Sequence, residues 1–184
     1  MVVWITGLSA AGKSTLCQAV YRLMKPMLPT LVTLDGDAVR AVMGHDLGHA
    51  ERDRRTQLAR LQHLAKLLAE QELCVLVAVL YSHPDALAWN RANLPGYFEV
   101  YLRASLDTVM ARDPRGLYAK AVRGLMPDVV GIDIPWHEPR HPDLVFDMDH
   151  APSPDDMAVQ VASAQPRLRG LLDPGAGRRA AGGI

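Results

Sequence analysis

Residues 7–14 read Gly7-Leu8-Ser9-Ala10-Ala11-Gly12-Lys13-Ser14. It matches the pattern G-x-x-x-x-G-K-[ST], whose glycines let the backbone curl so that successive N–H groups point at a bound anion. Residues 2–6 are apolar and mostly β-branched, which predicts a buried strand, and residues 13–24 carry apolar side chains at helical spacing. A phosphate-binding loop between a strand and a helix predicts nucleotide binding.

The residues of this loop have distinct expected tasks. Lys13 is expected to reach the β- and γ-phosphates of ATP, and Ser14 to offer its hydroxyl to Mg²⁺. The helix that follows adds the positive end of its dipole. A chance glycine-rich turn is the alternative, but such a turn would not need the complete pattern in this context. The predicted donor-binding residues of this segment are Gly7, Ser9, Ala10, Ala11, Gly12, Lys13, Ser14 and Thr15.

Length and composition indicate a globular protein. The chain has 184 residues, of which 49% are hydrophobic, so residues 1–172 are expected to form one domain with a full core. Residues 173–184 are mostly Gly, Ala and Arg, a composition that predicts a disordered tail. The chain has twenty basic and twenty acidic residues, so it has no excess of positive charge to attract nucleic acid or an anionic membrane.

The sequence favours a cytoplasmic protein. The first predicted strand begins directly after Met1, which leaves no room for a signal peptide, and no apolar run reaches transmembrane length. Cys17 and Cys74 fall on a predicted helix and strand, so both are expected to be buried thiols in a reducing compartment. We therefore expect a small-molecule partner, with no nucleic acid and no membrane. The sequence leaves open whether the chain forms a homodimer.

Strand and helix patterns alternate along the chain. A long amphipathic helix is predicted at 51–72, and the unbroken apolar run at 73–80 is typical of a central parallel strand covered on both faces. Further strands are predicted at 31–34, 97–102 and 144–146, and further helices at 106–111 and 154–172, the last interrupted by Pro166. This alternation predicts a three-layer α/β fold with a mostly parallel central sheet.

The segment Asp35-Gly36-Asp37 follows the second predicted strand. Carboxylates at the carboxyl end of a parallel strand point into the crevice where α/β sheets bind ligands. Asp35 is predicted to be the base near an acceptor hydroxyl, Asp37 to help orient the metal or the substrate, and Lys13 to complete the catalytic set. The alternative is a plain turn in which Asp37 caps a helix that carries Arg40.

Two missing signals favour a small-molecule kinase over a GTPase. The predicted strand at 73–80 does not end in an Asp, the second metal-binding carboxylate of many nucleotide hydrolases. The chain also contains no N-K-x-D sequence for guanine recognition. Both observations point away from GTPases.

Several motifs together resemble those of the adenylyl-sulfate (adenosine 5′-phosphosulfate) kinase family. The loop at 7–15 resembles the family's G-L-S-G-A-G-K-[ST]-T, and residues 34–40 resemble its L-D-G-D-x-x-R. The most specific match is at 111–121, Ala-Arg-Asp-Pro-Arg-Gly-Leu-Tyr-Ala-Lys-Ala, which resembles the family's A-R-D-P-K-G-L-Y-x-K-A lid. The resemblance implies a P-loop kinase fold with a mobile lid, and transfer of the γ-phosphate of ATP to a ribose 3′-hydroxyl with Mg²⁺.

The resemblance also implies roles for particular residues. Arg112 and Arg115 belong to the lid, where they would bind the donor and neutralise charge in the transition state. Arg40 and Arg54 would hold the anionic group of the acceptor. The remaining positions implied for the acceptor site are His49, Gln57, Lys120, Val129 and Ile132.

Departures from the family pattern fall on the acceptor site. His49 and Val129 stand where the family has two phenylalanines, Ala59 replaces the first of two arginines, and residues 81–84 replace S-P-[FY]-R with Tyr-Ser-His-Pro. Loss of an aromatic side chain that stacks on the base lowers the binding free energy by about 1–3 kcal/mol. We therefore expect weaker use of adenylyl sulfate than is usual in the family.

Three functions remain open from the sequence. The first is an ATP-dependent kinase of adenylyl sulfate that yields 3′-phosphoadenylyl sulfate. The second is a paralogous kinase that acts on a different nucleotide or a nucleotide-linked metabolite, and the third is a regulatory module that binds nucleotide without transferring phosphate. The retained Lys13, Asp35 and lid charges count against the third, because a protein that only binds needs no base.

Overall fold

The computed structural model describes residues 1–44 and 46–172, which form an α/β fold around five parallel strands. In chain order these are β1 (Val2–Gly7), β2 (Leu31–Asp35), β3 (Cys74–Val79), β4 (Phe98–Arg103) and β5 (Leu144–Asp147). Their order across the sheet is β2-β3-β1-β4-β5. The predicted fold class is confirmed, and every pairing between these strands is parallel.

Helices connect the strands and cover the sheet. They are α1 (Lys13–Met24), α2 (Gly36–Met43), α3 (Glu51–Glu70), α4 (Pro84–Asn93), α5 (Leu106–Arg112), α6 (Leu117–Val122), α7 (Pro154–Ala164) and α8 (Pro166–Leu172). The helical spacing predicted for α1 is confirmed, since Leu16, Val20 and Met24 are fully buried. None of the helices within residues 1–44 and 46–172 is long and apolar enough to cross a membrane.

The two central strands determine where a ligand can bind. β1 and β3 are buried along their whole length because helices lie on both faces of the sheet. Ile5 of β1 pairs with Ala78 of β3 and with Val100 of β4, so these three strands end at the same edge. Residues that follow the strands therefore meet at the carboxyl edge of the sheet, which is the binding edge of parallel α/β folds.

The interruption predicted at Pro166 is confirmed. Residues 154–172 form two helices, because Pro166 lacks an N–H and Gln165 is held in an extended conformation between them. The helices α4 and α6 were not predicted. α4 begins after His83, an uncommon N-cap, and α6 is only six residues long.

The capping alternative for Asp37 is wrong. Asp35 is the N-cap of α2, and its side chain accepts hydrogen bonds from the backbone N–H groups of Asp37 and Ala38. Asp37 instead lies in the first helical turn, where a carboxylate interacts favourably with the helix dipole. The tail at 173–184, predicted to be disordered, lies outside the described residues.

Candidate active site

The loop between β1 and α1 has the backbone geometry of an anion cradle. Ala10 and Gly12 adopt left-handed conformations, with φ of 60° and 99°, which turn the chain from strand into helix. Gly7 is needed for a close approach, because a Cβ there would lie 2.7 Å from the Leu102 carbonyl oxygen of β4. α1 begins at Lys13 without a side-chain cap from the described residues, so its first N–H groups are available to phosphate oxygens.

Lys13 lies inside the loop that it is predicted to serve. Its ammonium donates a hydrogen bond of 2.7 Å to the Leu8 carbonyl oxygen. Burial lowers the pKa of Lys13 to about 8, against the opposing influence of the Asp37 and Asp35 carboxylates. The Lys13 ammonium is poorly solvated, and its hydrogen-bond partner is a neutral carbonyl. A phosphate group that binds beside it therefore stabilises its positive charge strongly.

Ser14 and Asp35 join the start of α1 to the end of β2. Ser14 Oγ donates to Asp35 Oδ2 over 2.5 Å. The other carboxylate oxygen, Oδ1, accepts from the N–H groups of Asp37 and Ala38 at 2.9 and 3.3 Å. A hydroxyl and a carboxylate oxygen side by side are the hard ligands that Mg²⁺ prefers. These residues therefore fit Mg²⁺ beside the phosphate-binding loop.

The predicted lid residues have different surroundings. Arg115 donates from both terminal nitrogens to Asp37 Oδ2, each at 3.3 Å. The two side chains are 72% and 76% exposed, so solvent screens the attraction between them. The Arg115 guanidinium can therefore readily leave Asp37 for another anion. Arg112 instead donates to the Met148 carbonyl oxygen beyond β5 at 2.6 Å. Lys120 is exposed on α6.

A contact that the sequence reasoning missed fastens the lid to the phosphate-binding loop. Tyr118 in α6 is fully buried, and its hydroxyl donates to the Ser9 carbonyl oxygen over 3.2 Å. Asp113 fixes the preceding turn, because its two carboxylate oxygens accept from the N–H groups of Leu117 and Ala119 at 2.7 and 3.1 Å. The sequence signal for Tyr118 was its place in the motif that resembles the family lid.

The side of the site that is predicted to bind the acceptor contains two guanidinium groups. Arg40 Nη1 donates to the carbonyl oxygens of residues 47–48 at 3.2 and 2.8 Å, which shapes the loop before His49. Arg54 Nη2 donates to the Asp128 carbonyl oxygen at 2.7 Å, and its buried Nε has no partner among the described residues. Burial, and then the charges of Arg54 and Arg40, lower the pKa of His49. The structure thus brings these three predicted residues together.

Two of the other predicted acceptor residues, Gln57 and Val129, are buried. Gln57 is buried, with its Nε2 3.5 Å from the Gly36 carbonyl oxygen and its Oε1 without a described partner. Val129 is 2% exposed and belongs to the core. Ile132 lines a cavity of about 370 Å³ beside Trp136. A role for Gln57, Val129 or Ile132 in acceptor binding stays a prediction.

The segment at 81–84, which departs from the family pattern, is tied to the start of α3. Tyr81 is buried, and its hydroxyl donates to Glu51 Oε1 over 2.9 Å. Arg55 Nη2 donates to the same carboxylate oxygen at 3.3 Å. The Tyr81–Glu51 contact joins positions 30 apart in the chain and leaves no local signal in the sequence.

These motifs can be compared with those of known proteins. The family model described as adenylylsulphate kinase matches residues 1–147. The chain belongs to the adenylyl-sulfate kinase family. One member, an adenylyl-sulfate kinase of Geotalea uraniireducens, is 43% identical over 150 residues, which cover 80% of this chain and 72% of that protein. Another, from Deinococcus deserti, is 39% identical over 172 residues and covers 94% and 89%.

Solved structures agree with membership of the adenylyl-sulfate kinase family. The Mycobacterium tuberculosis APS kinase CysC in complex with AMPPNP and APS is similar, with a TM-score of 0.79, 36% identity, and coverage of 89% of this chain and 95% of that one. Shikimate kinase from Aquifex aeolicus, 16% identical with a TM-score of 0.56 over 100% of both chains, shares the fold alone. As a member of this family, the chain is an ATP-binding phosphotransferase that acts on an alcohol group.

Proposed function

We propose that this chain transfers the γ-phosphate of ATP to the ribose 3′-hydroxyl of adenylyl sulfate and so forms 3′-phosphoadenylyl sulfate. The observation that carries the proposal is the position of Asp37. Its carboxylate acts electrostatically on Lys13 in the donor loop and on His49 and Arg54 at the acceptor side. A carboxylate that acts on both the donor loop and the guanidinium predicted to bind the acceptor supports phosphoryl transfer between the two sides.

On the donor side, the backbone of residues 7–15 would hold the ATP phosphates. Lys13 would neutralise charge on the β- and γ-phosphates. Ser14 would offer its hydroxyl to Mg²⁺, which would supply positive charge to those phosphates. Arg112 and Arg115 would add charge from the lid, and the weak pairing of Arg115 with Asp37 leaves that guanidinium free to move to a phosphate.

Asp35 is the proposed base for the acceptor hydroxyl. Hydrogen bonds to both of its oxygens hold the carboxylate in one orientation, as positioned proton transfer requires. Asp37 would orient the acceptor or the metal, since its side chain is exposed at the centre of the site.

Arg40 and Arg54 would bind the anionic group of the acceptor. The Nε of Arg54, which has no partner among the residues that the structure describes, is a buried donor that such a group could satisfy. His49 would face the acceptor base, with Gln57, Lys120, Val129 and Ile132 around it. A second candidate acceptor is a different nucleotide, and the observation that favours it is the burial of Val129, which offers no aromatic face to adenine.

A direct assay tests the proposal. Purified chain is incubated with MgATP and adenylyl sulfate, and 3′-phosphoadenylyl sulfate is separated by ion-exchange chromatography, with a panel of other nucleotides as competing acceptors. We expect product with adenylyl sulfate, and none from Lys13→Ala. Faster transfer to another nucleotide would select the second candidate instead. Binding of ATP without transfer to any acceptor in the panel would contradict both.

A further inference from the structure

A cavity of about 370 Å³ lies between the phosphate-binding loop, the connection from β4 to α5, and the loop at residues 128–138. Leu8, Leu106, Ile132 and Trp136 contribute apolar side chains to its lining. We call it the tryptophan cavity. Its volume falls within the range of about 300–1,000 Å³ that is typical of small-molecule sites. The tryptophan cavity is therefore large enough for a planar ring of the size of a nucleobase.

The indole of Trp136 is held in one orientation. Its Nε1 donates a hydrogen bond of 3.3 Å to the Tyr101 hydroxyl, and the two ring centroids lie 6.1 Å apart with an interplanar angle of 32°. Backbone hydrogen bonds within residues 129–134 brace the loop that carries it. Because the ring is already fixed, little conformational entropy is lost when another ring stacks on it. Trp136 thus offers a preformed stacking surface.

The charges around the tryptophan cavity differ from those of the anion-binding part of the site. None of its lining residues is basic in the part of the chain that the structure describes, whereas Asp133 and Glu138 are acidic. Asp133 braces its own loop, because its Oδ2 accepts from the Val129 N–H at 3.2 Å. Glu138 is exposed at the far end of the loop. Carboxylates repel phosphate and sulfate but accept from N–H groups, so the cavity suits an uncharged ring that carries an amino group.

The tryptophan cavity adjoins both halves of the proposed active site. Leu8 lines it, and the carbonyl oxygen of the same residue accepts from the Lys13 ammonium at 2.7 Å. Arg54, which is proposed to hold the anionic group of the acceptor, donates to the Asp128 carbonyl oxygen at the start of the 128–138 loop. A base in the cavity would therefore lie beside the donor loop and on the same short segment that contacts the anion-binding guanidinium.

We propose that the tryptophan cavity binds the base of the acceptor nucleotide, with the indole of Trp136 stacked on the base and the Glu138 carboxylate accepting from its exocyclic amino group. Trp136 then supplies the aromatic face that the buried Val129 does not offer. The role of the ligand as phosphate acceptor rests on the proposed function, whereas the affinity of the cavity for an amino-bearing base does not.

The kinetic experiment compares Trp136→Leu with Trp136→Phe in the full chain. Leucine is apolar but cannot stack, whereas phenylalanine keeps an aromatic face. We expect Trp136→Leu to raise the KM for adenylyl sulfate by about tenfold or more and Trp136→Phe by less than about threefold, with the KM for MgATP unchanged in both. The matched control is Trp89→Leu, because the Trp89 ring packs against His63 outside the cavity.

A fluorescence titration needs no phosphoryl transfer. The chain has three tryptophans, and a Trp89→Phe background leaves Trp136 and the fully buried Trp4. The donor site is first saturated with Mg²⁺ and a non-hydrolysable ATP analogue, and AMP is then added. We expect AMP to quench the Trp136 emission. Ribose 5-phosphate, which has the same anionic group without a base, should leave the emission unchanged.

The contact with the amino group has a comparison of its own. IMP has a carbonyl oxygen where AMP has its amino group, so a carboxylate should disfavour it. In the same titration we expect IMP to bind at least about threefold more weakly than AMP. Glu138→Gln should remove this preference, because an amide can donate to the carbonyl, whereas Glu70→Gln on the exposed face of α3 should retain it. Equal affinities for IMP and AMP in the unmodified chain would overturn the Glu138 contact.

Three outcomes overturn the base site itself. They are a KM for adenylyl sulfate that Trp136→Leu leaves unchanged, equal quenching by AMP and ribose 5-phosphate, and quenching by the ATP analogue alone, which would assign the cavity to the donor base. The proposed function fails separately. If adenylyl sulfate yields no product but AMP quenches Trp136, the cavity binds a base and the proposed acceptor is wrong. If product forms with unchanged kinetics in Trp136→Leu, the proposed function stands without this site.

Discussion

At the scale of single residues, two neighbouring carboxylates have different surroundings and so different expected functions. Asp35 receives hydrogen bonds on both oxygens, whereas Asp37 is exposed and paired with a lid arginine. We expect Asp35→Asn to lower the rate of transfer by about 10²-fold or more, the effect of losing a general base, while ATP still binds. Single-turnover kinetics and a titration with a fluorescent ATP analogue measure the two effects separately.

The companion variant Asp37→Asn provides the comparison. It removes the charge that acts on both sides of the site but leaves the N-cap of α2 intact. We expect it to raise the acceptor KM more than it lowers the rate of transfer. If Asp35→Asn weakens ATP binding but leaves the rate of transfer at saturating ATP near normal, Asp35 is a metal ligand of the donor side and Asp37 becomes the base.

A second prediction at this scale concerns the two positions that lack the family's phenylalanines. His49 is exposed beside Arg40 and Arg54, whereas Val129 is 2% exposed in the core. His49→Phe should therefore lower the KM for adenylyl sulfate, by up to about tenfold if a stacking contact worth about 1.4 kcal/mol is restored. Val129→Phe should instead destabilise the fold by about 1–3 kcal/mol through overpacking. Steady-state kinetics and thermal unfolding of each variant decide between these expectations.

At the scale of secondary-structure elements, the lid helix α6 is anchored to the phosphate-binding loop by one hydroxyl. Removing it in Tyr118→Phe keeps the buried ring and deletes the hydrogen bond to the Ser9 carbonyl oxygen. A hydrogen bond of this kind contributes about 0.5–1.5 kcal/mol, so the KM for ATP should rise by about two- to tenfold. The control is Tyr21→Phe, which retains the contact of that ring with Lys25. Equal ATP kinetics in both variants would show that the lid does not need this anchor.

The same elements show what the sequence could predict. The strands were found because parallel strands covered on both faces are continuous apolar runs, as in β3. The phosphate-binding loop was found because its chemistry depends on consecutive residues. The helix α4 was missed because Pro84–Asn93 has weak helical periodicity, with Asn90 as its one buried residue. The contacts of Tyr118 with Ser9 and of Arg54 with Asp128 span 109 and 74 positions, so only the folded chain reveals them.

At the scale of the whole molecule, the edge of the sheet opposite the site contains a buried charge. Glu99 in β4 is 2% exposed, and its Oε2 accepts from the Tyr97 hydroxyl at 3.0 Å and from Arg91 Nη2 at 3.2 Å. Its Oε1 has no partner among the described residues. Burial raises the pKa of Glu99 above its ordinary value. The folded protein thus keeps this proton at pH values where the unfolded chain has released it, so the stability of the fold falls as the pH rises through that window.

Replacing Glu99 by its neutral isostere tests this linkage. Glu99→Gln keeps one oxygen that can accept from both the Tyr97 hydroxyl and Arg91, as Oε2 does. It leaves no charge to bury, and a neutral group costs less free energy to desolvate. At about pH 8 we expect its Tm to be about 2–4 °C higher, the response of a chain of this size to about 1 kcal/mol. The difference should shrink toward the ordinary pKa of glutamate, where both proteins carry an uncharged side chain. Glu70→Gln, on the exposed face of α3, should show no such pH-dependent difference. A lower Tm for Glu99→Gln at neutral pH would mean that the ion pair with Arg91 outweighs the cost of burial.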